Sequence, residues 1–263
     1  MMRFISILFF SILSFHCSGQ VPALSKKYPN PATSEMKNLE LEALQTDYIN
    51  RLYYHIIATP KDIINGKECL PYSFRSLTTP MFYSREKLNA NLSVNNRLYK
   101  NIKLQYDTFQ DELIYIDTSR IINNEFPRIM LNKDIIDGFT FFINGSSINF
   151  IHLRFPESSV SKLQDGFYEV AYDGPTEFLI KHHSSLYNKD GRNEYKYSPE
   201  RYVFTRDKYF KIRNKKSLAL MSGDRSKEMK EYLHKSKIKV RKAGKEQIVE
   251  VLKYYDSLKA SGK

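Results

Sequence analysis

Apolar residues follow four successive patterns along this chain. From Phe4 to Phe15 they form a nearly unbroken run, preceded by Arg3 and followed by Cys17-Ser18-Gly19. A cation, about a dozen apolar residues and small residues at the end make an export leader; the run is too short to span a hydrocarbon layer, which takes about 20. Residues 20–34 lose the apolar pattern and gain Pro22, Pro29 and Pro31, the composition of a disordered spacer. Leu41, Leu44, Tyr48 and Leu52 then fall at helical spacing, so 35–60 reads as a helical lead-in, capped by Thr33 or Ser34 and ended by Pro60.

From about residue 61 to 213 the period shortens to two. Ile102, Leu104 and Tyr106 alternate with polar residues, Asp107 to Asp111 make a polar turn, and Glu112 to Asp117 read as the return strand. Asn65-Gly66 is a hairpin-type signal. Phe139 to Ile143 and Ile148 to Phe155 flank Asn144-Gly145, and Gly166 to Tyr172 and Glu177 to His183 flank Asp173-Gly174-Pro175. Residues 187–200 read as a charged, tyrosine-bearing insertion, before strands over Arg201 to Phe204 and Lys208 to Arg213. Strands joined by tight turns without intervening helices predict an antiparallel sheet, as a curved sheet, an open barrel or a sandwich.

Helical spacing returns after residue 213. Lys215 to Met221 predicts a short helix over Leu218 and Leu220, and Asp224 caps a second that carries Met229, Tyr232 and Leu233 on one face. The clearest helix runs from Lys245 to Leu258, with Ile248, Val251, Leu252, Tyr255 and Leu258 on the face expected to pack on the sheet. The predicted fold is α+β: a leader over 1–19, a spacer over 20–34, a helical lead-in over 35–60, an antiparallel β domain over 61–213 and a basic helical region over 214–263.

Composition adds two points. Nineteen Tyr and 17 Phe with no Trp suit a half-exposed sheet, because tyrosine buries its ring and keeps its hydroxyl wet. The net charge of +12 is uneven: residues 181–263 carry +13 and residues 20–180 carry −2. Such a C-terminal excess points to an acidic partner, an anionic membrane surface or an envelope protein, and export argues against nucleic acid. The alternative is a solvated lysine-rich surface. The contact residues expected are Lys215, Lys216, Lys227, Lys230, Lys235, Lys237, Lys239, Arg241 and Lys242; the last four lie on a strand with a basic stripe or in the linker before the last helix.

Motifs for chemistry are missing. The chain has no glycine-rich phosphate loop, no GxSxG elbow, no HExxH and no CxxC. His182-His183 would point to opposite faces of a strand and not share a metal, and His55, His152 and His234 are isolated. Asp107, Asp111, Glu112 and Asp117 gather at one hairpin without calcium-loop spacing, and turns favour Asp for backbone reasons. No catalytic, cofactor-binding or metal-ligating residue is assigned. Of the two cysteines, Cys17 is either discarded with the leader or kept as a lipidated first residue, and Cys69 reads as a small buried apolar residue.

Several short segments carry a likeness: Asn65-Gly66-Lys67-Glu68, Leu98-Tyr99-Lys100-Asn101-Ile102-Lys103-Leu104-Gln105-Tyr106-Asp107, Gly166-Phe167-Tyr168-Glu169-Val170, Lys237-Ile238-Lys239 and Leu252-Lys253-Tyr254-Tyr255-Asp256. Through them the chain resembles an uncharacterised family of exported envelope proteins of Bacteroidota-type bacteria. The resemblance implies an exported β-rich protein with a helical tail, periplasmic or secreted or lipid-anchored through Cys17, and brings no activity with it. The leading expectation is a non-enzymatic binding or structural component. Its alternatives are an enzyme of envelope polymers whose carboxylates meet only in the fold, and association with an anionic membrane surface through the basic third.

Overall fold

The chain divides into Met1–Tyr53 and Tyr54–Lys263. The structure, a computed structural model, describes residues 63–64, 66–154 and 163–261 of the second unit; in the first it describes Glu42 and residues 44–46, all helical. The leader, the spacer, Cys17 and the remainder of the helical lead-in lie outside the described residues.

Among the described residues of the second unit thirteen strands follow: β1 (Lys67–Glu68), β2 (Leu88–Val94), β3 (Arg97–Asp107), β4 (Glu112–Ile116), β5 (Arg128–Met130), β6 (Ile136–Ile143), β7 (Ser146–Leu153), β8 (Gly166–Tyr172), β9 (Glu177–Lys181), β10 (Ser184–Lys189), β11 (Arg192–Tyr197), β12 (Glu200–Thr205) and β13 (Lys208–Lys211). Eleven form one antiparallel sheet in the order β1-β5-β4-β3-β2-β6-β7-β8-β9-β12-β13, and β10 pairs only with β11. Four connections are two-residue turns with both residues at positive φ: Asn95-Asn96, Asn144-Gly145, Asp190-Gly191 and Arg206-Asp207. That backbone matches the right-handed twist of the flanking strands, and Asn, Asp and Gly reach it most easily.

The eleven strands form one continuous sheet that curls on itself without closing. Tyr106 on β3 meets Phe139, Phe150 and Phe167 edge-on at 5.7, 5.5 and 5.9 Å, although β8 lies four places from β3 in the sheet. Phe139 stacks on Phe150 at 4.5 Å. These rings fill the concave side with Leu92, Leu104, Leu113 and Phe141, all buried. Each buried ring removes roughly 150–250 Å² from water, so this cluster dominates the first half of the fold.

The second cluster joins the sheet to the helices. Phe178, Ile180 and Val203 pack with residues of α1 (Lys215–Ser222), α2 (Ser226–Lys235) and α3 (Lys245–Ala260). Helix α3 buries Ile248, Val251, Leu252 and Tyr255, as its spacing requires. Helix α1 opens with a reciprocal cap: Asn214 accepts from the Ser217 amide at 3.0 Å, and the Ser217 hydroxyl accepts from the Asn214 amide at 3.0 Å.

Several readings of the sequence change. Residues 187–200 are mostly a hairpin, because Asp190-Gly191 supplies a tight turn. Gly66 precedes β1, which pairs with distant β5, and a side chain there would collide with the Met130 carbonyl; it marks a close backbone approach. Asn65 lies outside the described residues. The alternation of β3 breaks at Asn101, whose φ is +57°, so Tyr99 is buried and Leu98 exposed. Asp224 does not cap α2; it sits in a 3-10 turn over Gly223–Arg225 that leads into the helix. Residues 237–242 are a turn-rich linker, and only Val240 of them is fully buried. Cys69 is half-buried and unpaired, not a core residue.

Candidate binding site

The segment between β1 and β2 has little regular structure and lies against the β10–β11 hairpin. Its serines and threonines hold it there. Ser76 donates from Oγ to the Asn193 carbonyl at 3.0 Å, Thr78 donates from Oγ1 to the Tyr195 carbonyl at 3.0 Å, and the Tyr195 amide donates back to Thr78 Oγ1 at 2.5 Å. Between this segment, the end of β3, the start of β5 and the hairpin tip lies a cavity of about 810 Å³.

Its floor is aromatic. Tyr72 lies 5.6 Å from Phe74 and 5.6 Å from Tyr195, and Tyr195 lies 5.4 Å from Phe109. Asp107, 2% exposed, supplies the one carboxylate and is already satisfied. It accepts from the Tyr72 hydroxyl and from the amides of Phe109 and Gln110 at 2.9 and 3.1 Å, which close the β3–β4 turn. Burial and then the Asp107 hydrogen bond hold the Tyr72 phenol well above its ordinary pKa, so it stays a donor.

The walls are cationic. Arg75, Arg85, Arg128 and Arg192 all line the cavity. Arg85 donates to the Ser76 and Thr78 carbonyls at 3.3 Å. Arg128 donates to Gln105 Oε1 at 3.1 Å and keeps a buried Nε without a partner. Arg75 and Arg192 are exposed, and among the described residues no carboxylate pairs with either. Four guanidinium groups thus face one carboxylate that has no capacity to spare. Guanidinium forks suit oxyanions, and an aromatic floor suits the face of a ring. Cys69 lies on the rim with its thiol pushed up by burial, so it is a poor nucleophile there.

The described residues also hold two polar networks outside the cavity lining. In one, Glu169 accepts from His182 Nε2 at 2.7 Å and from Lys245 Nζ at 2.9 Å, and the Tyr197 hydroxyl meets His182 Nδ1. Burial works to raise the Glu169 carboxyl, but the bonds and charges of His182 and Lys245 outweigh it and hold the pKa below its ordinary value. Burial and the Glu169 charge push the Tyr197 phenol up to about 12, the opposite of an activated nucleophile. With Glu169 and His182 both buried, this chain links sheet and helix α3 rather than serving an open cleft. In the other, Asp111 accepts from the Tyr106 hydroxyl at 2.6 Å and lies 2.5 Å from Lys133 Nζ and 2.6 Å from Lys181 Nζ. It fastens the β3–β4 turn to β9. Burial lowers the Lys181 pKa, with Asp111 opposing.

The expected acidic group therefore does not act as a unit. Asp107 closes a turn and holds Tyr72, Asp111 joins two lysines, and Asp117 binds the Ser119 amide at 3.0 Å and Arg120 Nε at 2.8 Å. Among the described residues no three metal-ligating side chains gather. His182 and His183 do face opposite ways, one buried and one exposed. Of the nine basic residues expected to contact an anionic surface, all are exposed, and Lys215, Lys216 and Lys230 line one groove between α1 and α2. Lys227 and Lys235 lie on α2; Lys237, Lys239, Arg241 and Lys242 lie in the linker. The arginine cavity has no counterpart in the sequence reading. Its cations come from three parts of the chain, the segment between β1 and β2, strand β5 and the β10–β11 hairpin, and the only local hint is Tyr72-Ser73-Phe74-Arg75.

No family model, curated protein or solved structure matches this chain. No helix among the described residues is long and apolar enough to cross a membrane.

Proposed function

We propose that this is an exported envelope protein that binds an anionic, ring-bearing ligand, such as a sulfated or uronate-bearing oligosaccharide, in the arginine–tyrosine cavity. The observation that carries the reading is the imbalance of the cavity: four arginines against Asp107, whose oxygens are already occupied. The aromatic floor supports a ring over a bare ion, and the 810 Å³ volume falls in the range of small-molecule sites, roughly 300–1,000 Å³. The leader pattern of residues 1–19 supports export.

Calorimetric titration at 150 mM salt with short dextran sulfate and with unsulfated dextran of equal length tests this. Binding of the sulfated chain only, weakened at least tenfold by Arg75→Gln with Arg192→Gln and unchanged by Lys215→Gln with Lys216→Gln and Lys230→Gln, is expected. Equal loss in both variants would reduce the effect to net charge and overturn the reading.

A further inference from the structure

The groove between α1 and α2 is a separate site with its own chemistry. Lys215, Lys216 and Lys230 line it, no Asp or Glu does, and Leu220 lies on it with 73% of its surface exposed. The surrounding residues 213–245 hold twelve Lys/Arg and three Asp/Glu. One of those acids, Glu228, is paired with Arg225 at 3.3 Å.

Two features of α1 have no folding rationale. Lys215 and Lys216 occupy its first turn, which carries no acidic residue, so their charges oppose the positive end of the helix dipole. Leu220 faces water while Leu218, Ala219 and Met221 on the same helix are buried. An exposed leucine ringed by lysines is the pattern of a segment that lies on a bilayer: the cations meet anionic headgroups and the apolar side chain enters the boundary below them.

We infer that the α1–α2 face docks on an anionic membrane surface, with Lys215, Lys216 and Lys230 on the headgroups and Leu220 inserted between them. Charge complementarity and the central leucine favour a bilayer over an acidic protein or polymer, which would need no insertion. This inference is independent of the arginine cavity.

The test uses the cell-processed chain carrying Cys17→Ala, so that no lipid tethers it. Sedimentation is measured with vesicles of phosphatidylcholine alone and of phosphatidylcholine with 30% phosphatidylglycerol. Binding to the anionic vesicles alone is expected, falling about fivefold for each lysine changed to glutamine. Leu220→Ser lowers it further at salt concentrations that screen the lysines. Lys215→Glu with Lys216→Glu is the decisive variant. It suits the helix dipole, so the melting temperature holds or rises while vesicle binding is lost. Equal binding by Lys215→Glu with Lys216→Glu and the parent overturns the inference, as does a chain that ignores vesicles or that binds dextran sulfate through these lysines but not anionic lipid.

Discussion

Glu169 shows how much one buried carboxylate holds together. It is 4% exposed and accepts from His182, in the link between β9 and β10, and from Lys245 at the start of α3. Glu169→Ala leaves the buried His182 without its acceptor and frees the half-exposed Lys245; breaking a buried pair of this kind costs about 3–5 kcal/mol, read from urea unfolding. The pH dependence follows from the sign of the shift. Because the folded pKa lies below the unfolded one, the stabilisation is fully present above the unfolded value, about 4.3. It is lost as pH falls through the folded value. Glu169→Gln therefore flattens the acid limb of the stability profile below about pH 5, measured by denaturant midpoint against pH. Gly138 is a simpler case: an added Cβ would lie 2.4 Å from the Phe150 carbonyl oxygen in the middle of the sheet. Gly138→Ala is expected to lose about 1–3 kcal/mol in the same assay.

At the scale of elements, what the sequence disclosed depended on how local the signal was. The helix over Lys245–Ala260 was legible because four buried residues repeat at helical spacing. The Asn144-Gly145 hairpin was legible because the turn residues announce it. Arg206-Asp207 adopts the same backbone with residues that do not, and Asp190-Gly191 was hidden inside a charged segment. Leu218 and Leu220 both mark the short helix over Lys215–Ser222, but two residues apart they lie about 200° apart around it, and the structure buries Leu218 and leaves Leu220 exposed. The hairpin carries a prediction of its own. Gly191 has φ +75°, and a Cβ there would meet nothing within 4 Å, so the conformation alone is strained. Gly191→Val costs about 1–2 kcal/mol at the hairpin tip. Since Arg192 follows it, affinity for dextran sulfate falls together with a lowered thermal midpoint. A calorimetric titration beside a thermal melt reads both.

Across the whole second unit, the candidate site was the least legible part, and the reason is topological. Arg75, Arg85, Arg128 and Arg192 come from an irregular segment, β5 and a hairpin tip, which only the curl of the sheet brings to one cavity. Nothing in their spacing encodes that meeting. The sheet and helices also share an apolar cluster, so they are expected to unfold as one. Leu252→Ala, at a position with 0% exposure, should cost about 2–5 kcal/mol and shift tyrosine fluorescence and helical circular dichroism together; two separated transitions would contradict a shared cluster. The open sheet has a last consequence. Among the described residues its outermost strands are β1, two residues long, and β13, Lys208-Tyr209-Phe210-Lys211, four residues long with an ammonium at each end. A short rim bracketed by like charges repels an identical rim, so one molecule has little means of extending its ladder into the next. End-to-end pairing of this sheet with that of a second copy is therefore disfavoured at both of these rims.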